Sequence, residues 1–280
     1  MKVHLCVVLC LAACAYAGTL PSFITPCSRS DPELNSCIEK VITAGGAKFT
    51  EGIPELGIKP LDPVELGTVF VDNPALKLTF TDTVVTGLKG FRVNSYKINP
   101  DKGKATLDFT ANVTLKAHYV MDGQVLILPI RGNGQSRIKI TNLNIVVKYD
   151  FVEKDGHWIV PSYKDHYKMD RAQFKFTNLF NGNKELAQTT ERFTNENWEI
   201  IMSEIAPPAI KQIIKKCVDQ VKKFFGAIPA SETIHQVINE HWEPVMRDIG
   251  PAAFQQIIKA CVDESKKLFA AVPLSQLLLP

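Results

Sequence analysis

The pattern of hydrophobic and polar positions divides the chain into a long middle part and a C-terminal part with different periods. From Val69 to Phe176 apolar residues alternate with polar ones, most clearly between Leu107 and Tyr119. This alternation is typical of half-buried β-strands with one face toward water. From Asn195 to Pro229 the apolar residues recur at helical spacing instead. That stripe predicts a helix about 50 Å long.

Smaller features predict where these elements bend or end. Short polar and glycine-containing stretches predict turns at residues 121–124, 132–134 and 154–157. A change of phase near Asn142 predicts a β-bulge, as a strongly curved sheet requires. Within the long helix, Pro207 and Pro208 predict a kink or a division.

A short helix is predicted ahead of the strands, over residues 31–49. Asp31 can cap it, Pro32 suits its first turn, and Gly45-Gly46 can weaken or end it. The order is therefore a short helix, an antiparallel meander and a long helix. We assign this to the α+β class, with helix segregated from sheet.

The long helical segment occurs twice. Residues 195–229 align with residues 239–273 at a shift of 44, and about 20 of the 35 positions are identical. Trp198 aligns with Trp242 and Cys217 with Cys261. Two copies are too few for a solenoid, so we expect one helix to occupy the sheet and the second, within 231–280, to pack outside or to mediate a dimer.

The N-terminus predicts a secreted protein. Lys2 precedes an apolar run to Ala15, and the Ala15-Tyr16-Ala17 triplet favours cleavage between Ala17 and Gly18, which makes residues 1–17 a signal peptide. Leu11–Cys14 also resembles a bacterial lipoprotein box. No later segment has 18 consecutive apolar residues, so no stable membrane span is expected.

Charge and cysteine usage narrow the classes of function. The formal net charge of +3 gives no general attraction to nucleic acid or anionic membranes. In an oxidising compartment Cys27 and Cys37 are natural disulfide partners. In an antiparallel helix hairpin Cys217 would lie far from Cys261, so both are interpreted as free thiols. The Asn112-Val113-Thr114 sequon predicts a glycan on Asn112, on the wet face of its strand.

Several stretches, taken in order, resemble the insect takeout and haemolymph juvenile hormone binding protein family. They are spread over nearly the whole chain after the leader: Pro26–Cys37, Gly52–Ile58, Leu128–Gly134, Leu179–Leu186, Asn195–Trp198 and Val272–Leu277. The domain that resembles the family spans residues 18–230. The resemblance implies a long helix wrapped by a highly curved antiparallel sheet, as in tubular lipid-binding proteins. It also implies a tunnel for an elongated apolar ligand and a location in haemolymph or another extracellular fluid. The family is associated with circadian and hormone-linked behaviour.

The implied function is carriage of a terpenoid similar to juvenile hormone, a fatty acid or a quinone, without a cofactor. Periodicity alone does not distinguish a tunnel wall from a filled core. The residues predicted to line the tunnel come from one strand and one helix: Phe109, Ala111, Val113, Leu115, Tyr119, Ile201, Ile205, Ile213 and Val221.

The chain departs from the family's pattern in two respects, of which the repeated helical segment is one and the cysteines are the other. By resemblance, the family's juvenile hormone binding members carry a second disulfide between a strand and the long helix, whereas residues 38–216 here contain no cysteine. This chain therefore looks more like the takeout branch, which weakens the expectation of juvenile hormone as ligand.

The sequence also bears on two other classes of function, enzymes and interfacial binding proteins. Enzyme motifs are missing, and neither phosphate-binding nor zinc spacing is found in the sequence, so a non-enzymatic protein without metal is expected. An alternative is interfacial binding of lipid or microbial envelopes by a basic helix face. A solvated helix surface explains the same lysines: Lys211, Lys215, Lys216, Lys222, Lys223, Lys259, Lys266 and Lys267.

Overall fold

The computed structural model describes residues 20–29 and 31–230. The predicted signal peptide, the second helix copy with its proposed dimer contact, and Cys261 lie outside the described residues. The helices are α1 (Leu34–Glu51), α2 (Lys184–Glu196) and α3 (Trp198–Ala227). The strands are β1 (Val64–Asn73), β2 (Leu76–Thr86), β3 (Arg92–Asn99), β4 (Lys104–Val125), β5 (Leu128–Asp150), β6 (Val152–Lys154), β7 (His157–Ile159), β8 (Tyr163–Lys168) and β9 (Arg171–Phe176).

Seven strands form one antiparallel sheet around the two longest strands. Its order is β1-β2-β4-β5-β8, with β3 also paired to β4 and β9 also paired to β5. Strands β4 and β5, of 22 and 23 residues, pair along their whole length. Each passes from one outer partner to another, which lets the sheet change direction. The α+β assignment is confirmed.

The predicted bulge lies at the position of the phase change. Between the Ala111–Leu143 and Val113–Ile140 pairs, β4 has one residue and β5 has two. Asn142 takes a left-handed conformation with φ of 48°, and its N–H donates to Asn112 Oδ1 at 2.8 Å. Asn112 is exposed on β4; its modification stays a prediction.

Two predicted turns are wrong, and a third is confirmed. The chain reverses at Leu126-Ile127, between residues 121–124 and 132–134, because Val125 pairs with Leu128. Gly132 and Gly134 lie inside β5. A Cβ added at Gly132 would collide with Tyr119 Oη of β4, and one added at Gly134 would collide with the Thr177 carbonyl of the segment after β9. The predicted turn at 154–157 joins β6 to β7.

Helix α1 begins and ends slightly later than predicted. The Asp31 carboxylate accepts the Glu33 N–H at 2.7 Å, and the helix proper starts at Leu34. The predicted Cys27–Cys37 disulfide is confirmed. Gly45-Gly46 does not end α1, which continues to Glu51. The Phe91 ring packs where a Cβ of Gly46 would lie, so this position requires glycine.

Helix α3 is the first copy of the repeated segment, and its apolar side chains share one hydrophobic core with the sheet. Its 30 residues include Pro207 and Pro208 and span about 45 Å. The division predicted at these prolines is not present, since apolar residues on both sides remain packed on the sheet. The chain breaks earlier instead, at Asn197, where α2 ends and α3 begins.

Candidate functional site

An internal cavity lies between the middle of α3 and the sheet. Its volume is about 20 Å³, room for about one water molecule. Every side chain in its wall is apolar. Strands β2, β4 and β5 contribute Phe80, Val85, Val113, Leu115, Ile138 and Ile140, and α3 contributes Met202, Ile205, Ala206, Ala209, Ile210 and Ile213.

The local periods of the sequence explain how this wall forms. On α3 the lining positions are three or four residues apart, so they share one face of the helix. Val113 and Leu115 are alternate residues of β4, as Ile138 and Ile140 are of β5, so each pair points to the same face of the sheet. These two faces meet with only apolar side chains between them.

The structure brings four of the predicted lining residues into the cavity wall: Val113, Leu115, Ile205 and Ile213. Ala111 and Ile201 belong to the same core but lie outside the wall. Val221 is half-buried, and Phe109 packs edge-on against Phe91. Neither residue lines the cavity.

Tyr119, the remaining predicted residue, is fully buried and has a clear structural role. Its hydroxyl donates to the Thr177 carbonyl at 2.7 Å, and its ring packs edge-on against Phe176. Burial raises the pKa of Tyr119 to about 12. The residue ties the segment after β9 to the sheet and lies outside the cavity wall.

Eight lining residues were not predicted. Signals for some of them are present in the sequence: Ile138 and Ile140 alternate, and Ala206, Ala209 and Ile210 continue the helical stripe. Phe80 and Val85 are harder to find, because a bulge in β2 interrupts the period of two between them.

A larger cleft of about 500 Å³ opens on the surface between β8 and the first turns of α3. Met202 is 5% exposed and lines both this cleft and the internal cavity. The other lining residues mix apolar and charged side chains: Asp165, His166, Tyr167, Lys168, Met169, Trp198, Glu199 and Ser203. Burial and then the Asp165 carboxylate raise the pKa of Tyr167.

Polar contacts to β9 beside this cleft hold the last turn of α2, directly before the start of α3. Asn195 pairs with the backbone of Phe174: its Oδ1 accepts the N–H at 2.8 Å and its Nδ2 donates to the carbonyl at 3.0 Å. The Arg171 guanidinium donates to the Asn195 carbonyl at 3.0 Å and lies 6.0 Å from the centre of the Trp198 ring. The Asn195–Trp198 motif therefore has a positioning role.

The end of α3 is held by polar contacts as well. Gln220 is buried, and its Oε1 accepts the Lys59 N–H at 2.8 Å. Lys223 Nζ donates to the Gly57 carbonyl at 3.2 Å. The segment of residues 52–59, which includes the Gly52–Ile58 motif of the family resemblance, is therefore hydrogen-bonded to the last turns of α3.

Within residues 20–29 and 31–230 no group of three or more metal-ligating side chains lies together, and no helix in that part is long and apolar enough to cross a bilayer. Cys217 is a free cysteine packed against the core, and burial raises the pKa of its thiol to about 12.

Of the basic face proposed for interfacial binding, the first-copy part lies within the described residues. The lysines of α3 are exposed: Lys211, Lys215, Lys216, Lys222 and Lys223. Lys215 pairs with Asp219 one turn away, and Lys223 contacts Gly57. Lys259, Lys266 and Lys267 lie outside the described residues.

Comparison with known proteins identifies the relatives of this fold. The profile of the haemolymph juvenile hormone binding protein family matches residues 5–235. The chain belongs to this family. Its takeout-like character is supported by Takeout 1 of Epiphyas postvittana, whose crystal structure has a TM-score of 0.71 to this chain at 32% sequence identity. That match covers 75% of this chain and 98% of the other.

Two curated members of related sequence have names that indicate function. The circadian clock-controlled protein daywake of Drosophila melanogaster is 28% identical over 230 residues, covering 75% of this chain and 87% of the relative. The juvenile hormone-binding protein of Manduca sexta is 25% identical over 100 residues, covering 35% of this chain and 42% of that relative.

Proposed function

We propose that this protein is a secreted, non-enzymatic carrier that holds an elongated hydrophobic ligand between α3 and the sheet. The observation that carries the proposal is the wholly apolar wall of the internal cavity, built from one helix face and three strands. Such a wall binds an apolar molecule by removing its surface from water. The family's name supports the same class of function.

A ligand must enlarge the cavity before it fits. Binding sites for small molecules have volumes of about 300–1,000 Å³, whereas this cavity has about 20 Å³. The wall includes Met202, whose unbranched side chain repacks readily. It also includes Ala206 and Ala209, whose short side chains leave space between the helix and the sheet. No hydrogen bond between the wall side chains has to break, since they are all apolar.

The surface cleft suggests the route of entry. Met202 separates it from the internal cavity, and the cleft already has the volume of a small-molecule site. We propose that the ligand enters beside Trp198 and passes Met202 into the space between helix and sheet.

The ligand class is a juvenile hormone-like terpenoid, a fatty acid or a quinone. The Manduca relative is named for binding juvenile hormone, but it matches only a third of this chain. Cys217 is free, consistent with the expected lack of the strand-to-helix disulfide and with a takeout-like carrier. The Cys27–Cys37 disulfide supports release into an oxidising extracellular fluid such as haemolymph.

The test is mass spectrometry of the full chain secreted by insect cells. Under native conditions we expect an excess mass of about a few hundred daltons that disappears on denaturation and is recovered in organic solvent. The denatured mass also tests cleavage after Ala17 and a glycan on Asn112. Native and denatured masses that agree, even after incubation with lipid mixtures, would contradict carriage.

A matched pair of variants locates the ligand. Ile205 is buried in the cavity wall, whereas Ile200 is 50% exposed on the same helix. Ile205→Phe is expected to reduce the retained ligand, and Ile200→Phe is expected to leave it unchanged. Equal retention by both variants would place the ligand elsewhere.

A further inference from the structure

Thr83 is a buried polar residue that the fold places inside the sheet by means of a bulge. In β2 the buried positions are Leu76, Leu78 and Phe80, and then Thr83 and Val85. Strict alternation after Phe80 would have put Asp82 inside. Instead Asp82 takes a φ of 50°, and the pairing with β4 shifts register between Thr81 and Val84.

Among residues 20–29 and 31–230, the Thr83 hydroxyl has no hydrogen-bond partner. Its side chain is 1% exposed, and no hydrogen-bonding group among the described residues reaches Oγ1. Other buried polar residues do find partners: Ser136 Oγ donates to the Ala117 carbonyl at 3.0 Å, and Gln220 accepts from Lys59. A buried hydroxyl without a partner destabilises the protein, and valine would fill the same volume without that cost.

The position of Thr83 suggests what its partner is. It lies between Phe80 and Val85 on the inner face of β2, and both of these residues line the internal cavity. A molecule held in an enlarged cavity would therefore run along the strand past Thr83.

We infer that the Thr83 hydroxyl is the polar anchor for a neutral ligand that carries an oxygen function on a hydrocarbon chain. This inference rests on the proposed carrier function and narrows its ligand. A hydroxyl donates one hydrogen bond and accepts others, which suits a ketone, ester, quinone or alcohol oxygen. None of the twelve wall residues is charged, so a free carboxylate would lose its hydration without a counter-ion.

The test compares two probes of equal chain length, 2-tridecanone and tridecane, by their displacement of N-phenyl-1-naphthylamine from the full-length protein. Thr83→Val is expected to weaken 2-tridecanone binding about five-fold, the effect of one neutral hydrogen bond. Tridecane should bind the variant as well as or better than it binds the wild type. Thr83→Ser retains the hydroxyl and should retain the preference for the ketone.

Controls distinguish the anchor from a merely structural role. Ser136→Ala removes a buried hydroxyl that already has a partner, so the ratio of the two affinities should not change. Thr83→Val should also raise the melting temperature of the ligand-free protein, since it removes an unpaired buried polar group. An unchanged ratio in Thr83→Val would overturn the anchor while leaving carriage intact. If wild type binds neither probe, both the anchor and the carrier function for such ligands are overturned.

Discussion

The middle of α3 differs from its two ends in what holds it to the protein. Directly before its start, Asn195 in the last turn of α2 pairs with the backbone of Phe174. At its end, Gln220 and Lys223 contact Lys59 and Gly57. The middle faces the sheet with apolar side chains around a small cavity. Hydrogen bonds have strict geometry, whereas apolar contacts can be remade with a ligand. The helix is thus fixed where it begins and ends and adaptable where we propose that the ligand binds.

The largest expected effect comes from truncating the middle. Ile210 is 2% exposed and lines the cavity, so Ile210→Ala should lower the free energy of unfolding by about 3 kcal/mol. Urea denaturation of the full chain, followed by tryptophan fluorescence, measures this. Ile200→Ala, on the exposed side of the same helix, should cost less than about 0.5 kcal/mol. Similar losses for both variants would mean that the middle of α3 is not packed as described.

The next effect comes from releasing the junction between α2 and α3. Asn195→Ala removes three side-chain hydrogen bonds, two to Phe174 and one to the Glu191 carbonyl. Because the Phe174 N–H and carbonyl are left unpaired, the free energy of unfolding should fall by about 2 kcal/mol. Gln188→Ala on the exposed side of α2 is the control. Hydrogen exchange should show faster opening of β9 in the Asn195 variant alone. A loss no greater than that of the control would remove the distinction between fixed ends and adaptable middle.

Met202 tests whether the adaptable middle is reached through the surface cleft. Met202→Ala should speed uptake of N-phenyl-1-naphthylamine about ten-fold, equivalent to about 1.4 kcal/mol in the barrier, and Met202→Trp should slow it by a similar factor. Stopped-flow fluorescence measures both rates. Met169 lines the cleft but not the cavity, so Met169→Ala should leave the rate nearly unchanged. Equal rates in all variants would exclude this route.

Much of the fold could be predicted because its main elements follow local periods. The alternation in β4 and β5 and the stripe of α3 are repeated over many residues, and hydrophobic burial gives each only one inward face. Turn positions failed where distant contacts decide them. Gly132 and Gly134 look like a turn, yet they lie inside a strand where a side chain has no room. Tyr119 Oη fills that space at Gly132, and the Thr177 carbonyl fills it at Gly134.

The candidate site was less predictable, because its wall depends on how elements face each other. Val113 and Ile205 follow from their own strand and helix, but Phe80 and Val85 share a face only because of the bulge at Asp82. Tyr119 fits the alternation expected of a wall residue. Its hydroxyl instead donates to the Thr177 carbonyl, so the side chain connects β4 to the segment after β9. Neither the bulge in β2 nor the Tyr119–Thr177 hydrogen bond can be predicted from the spacing of apolar residues.

The smallest expected effect concerns Tyr119, which fixes the segment that leads toward α2. Burial raises the pKa of Tyr119 to about 12, above the usual value of about 10 in unfolded chains. The folded protein therefore keeps this proton where the unfolded chain loses it. The resulting stability is fully present below pH 10 and is lost as the pH rises toward 12.

Linkage gives this loss a size that can be measured with Tyr119→Phe. By pH 10.5 the wild-type protein should have lost about 0.8 kcal/mol through this group, and the variant lacks the titrating hydroxyl. At pH 7 the variant is less stable because the Thr177 carbonyl loses its donor. Urea denaturation from pH 7 to 10.5 should show the two stabilities converging by about 0.8 kcal/mol. Parallel curves over this range would mean that Tyr119 is not buried as the crossing of β5 requires, and that the start of the helical region is not held firmly to the sheet.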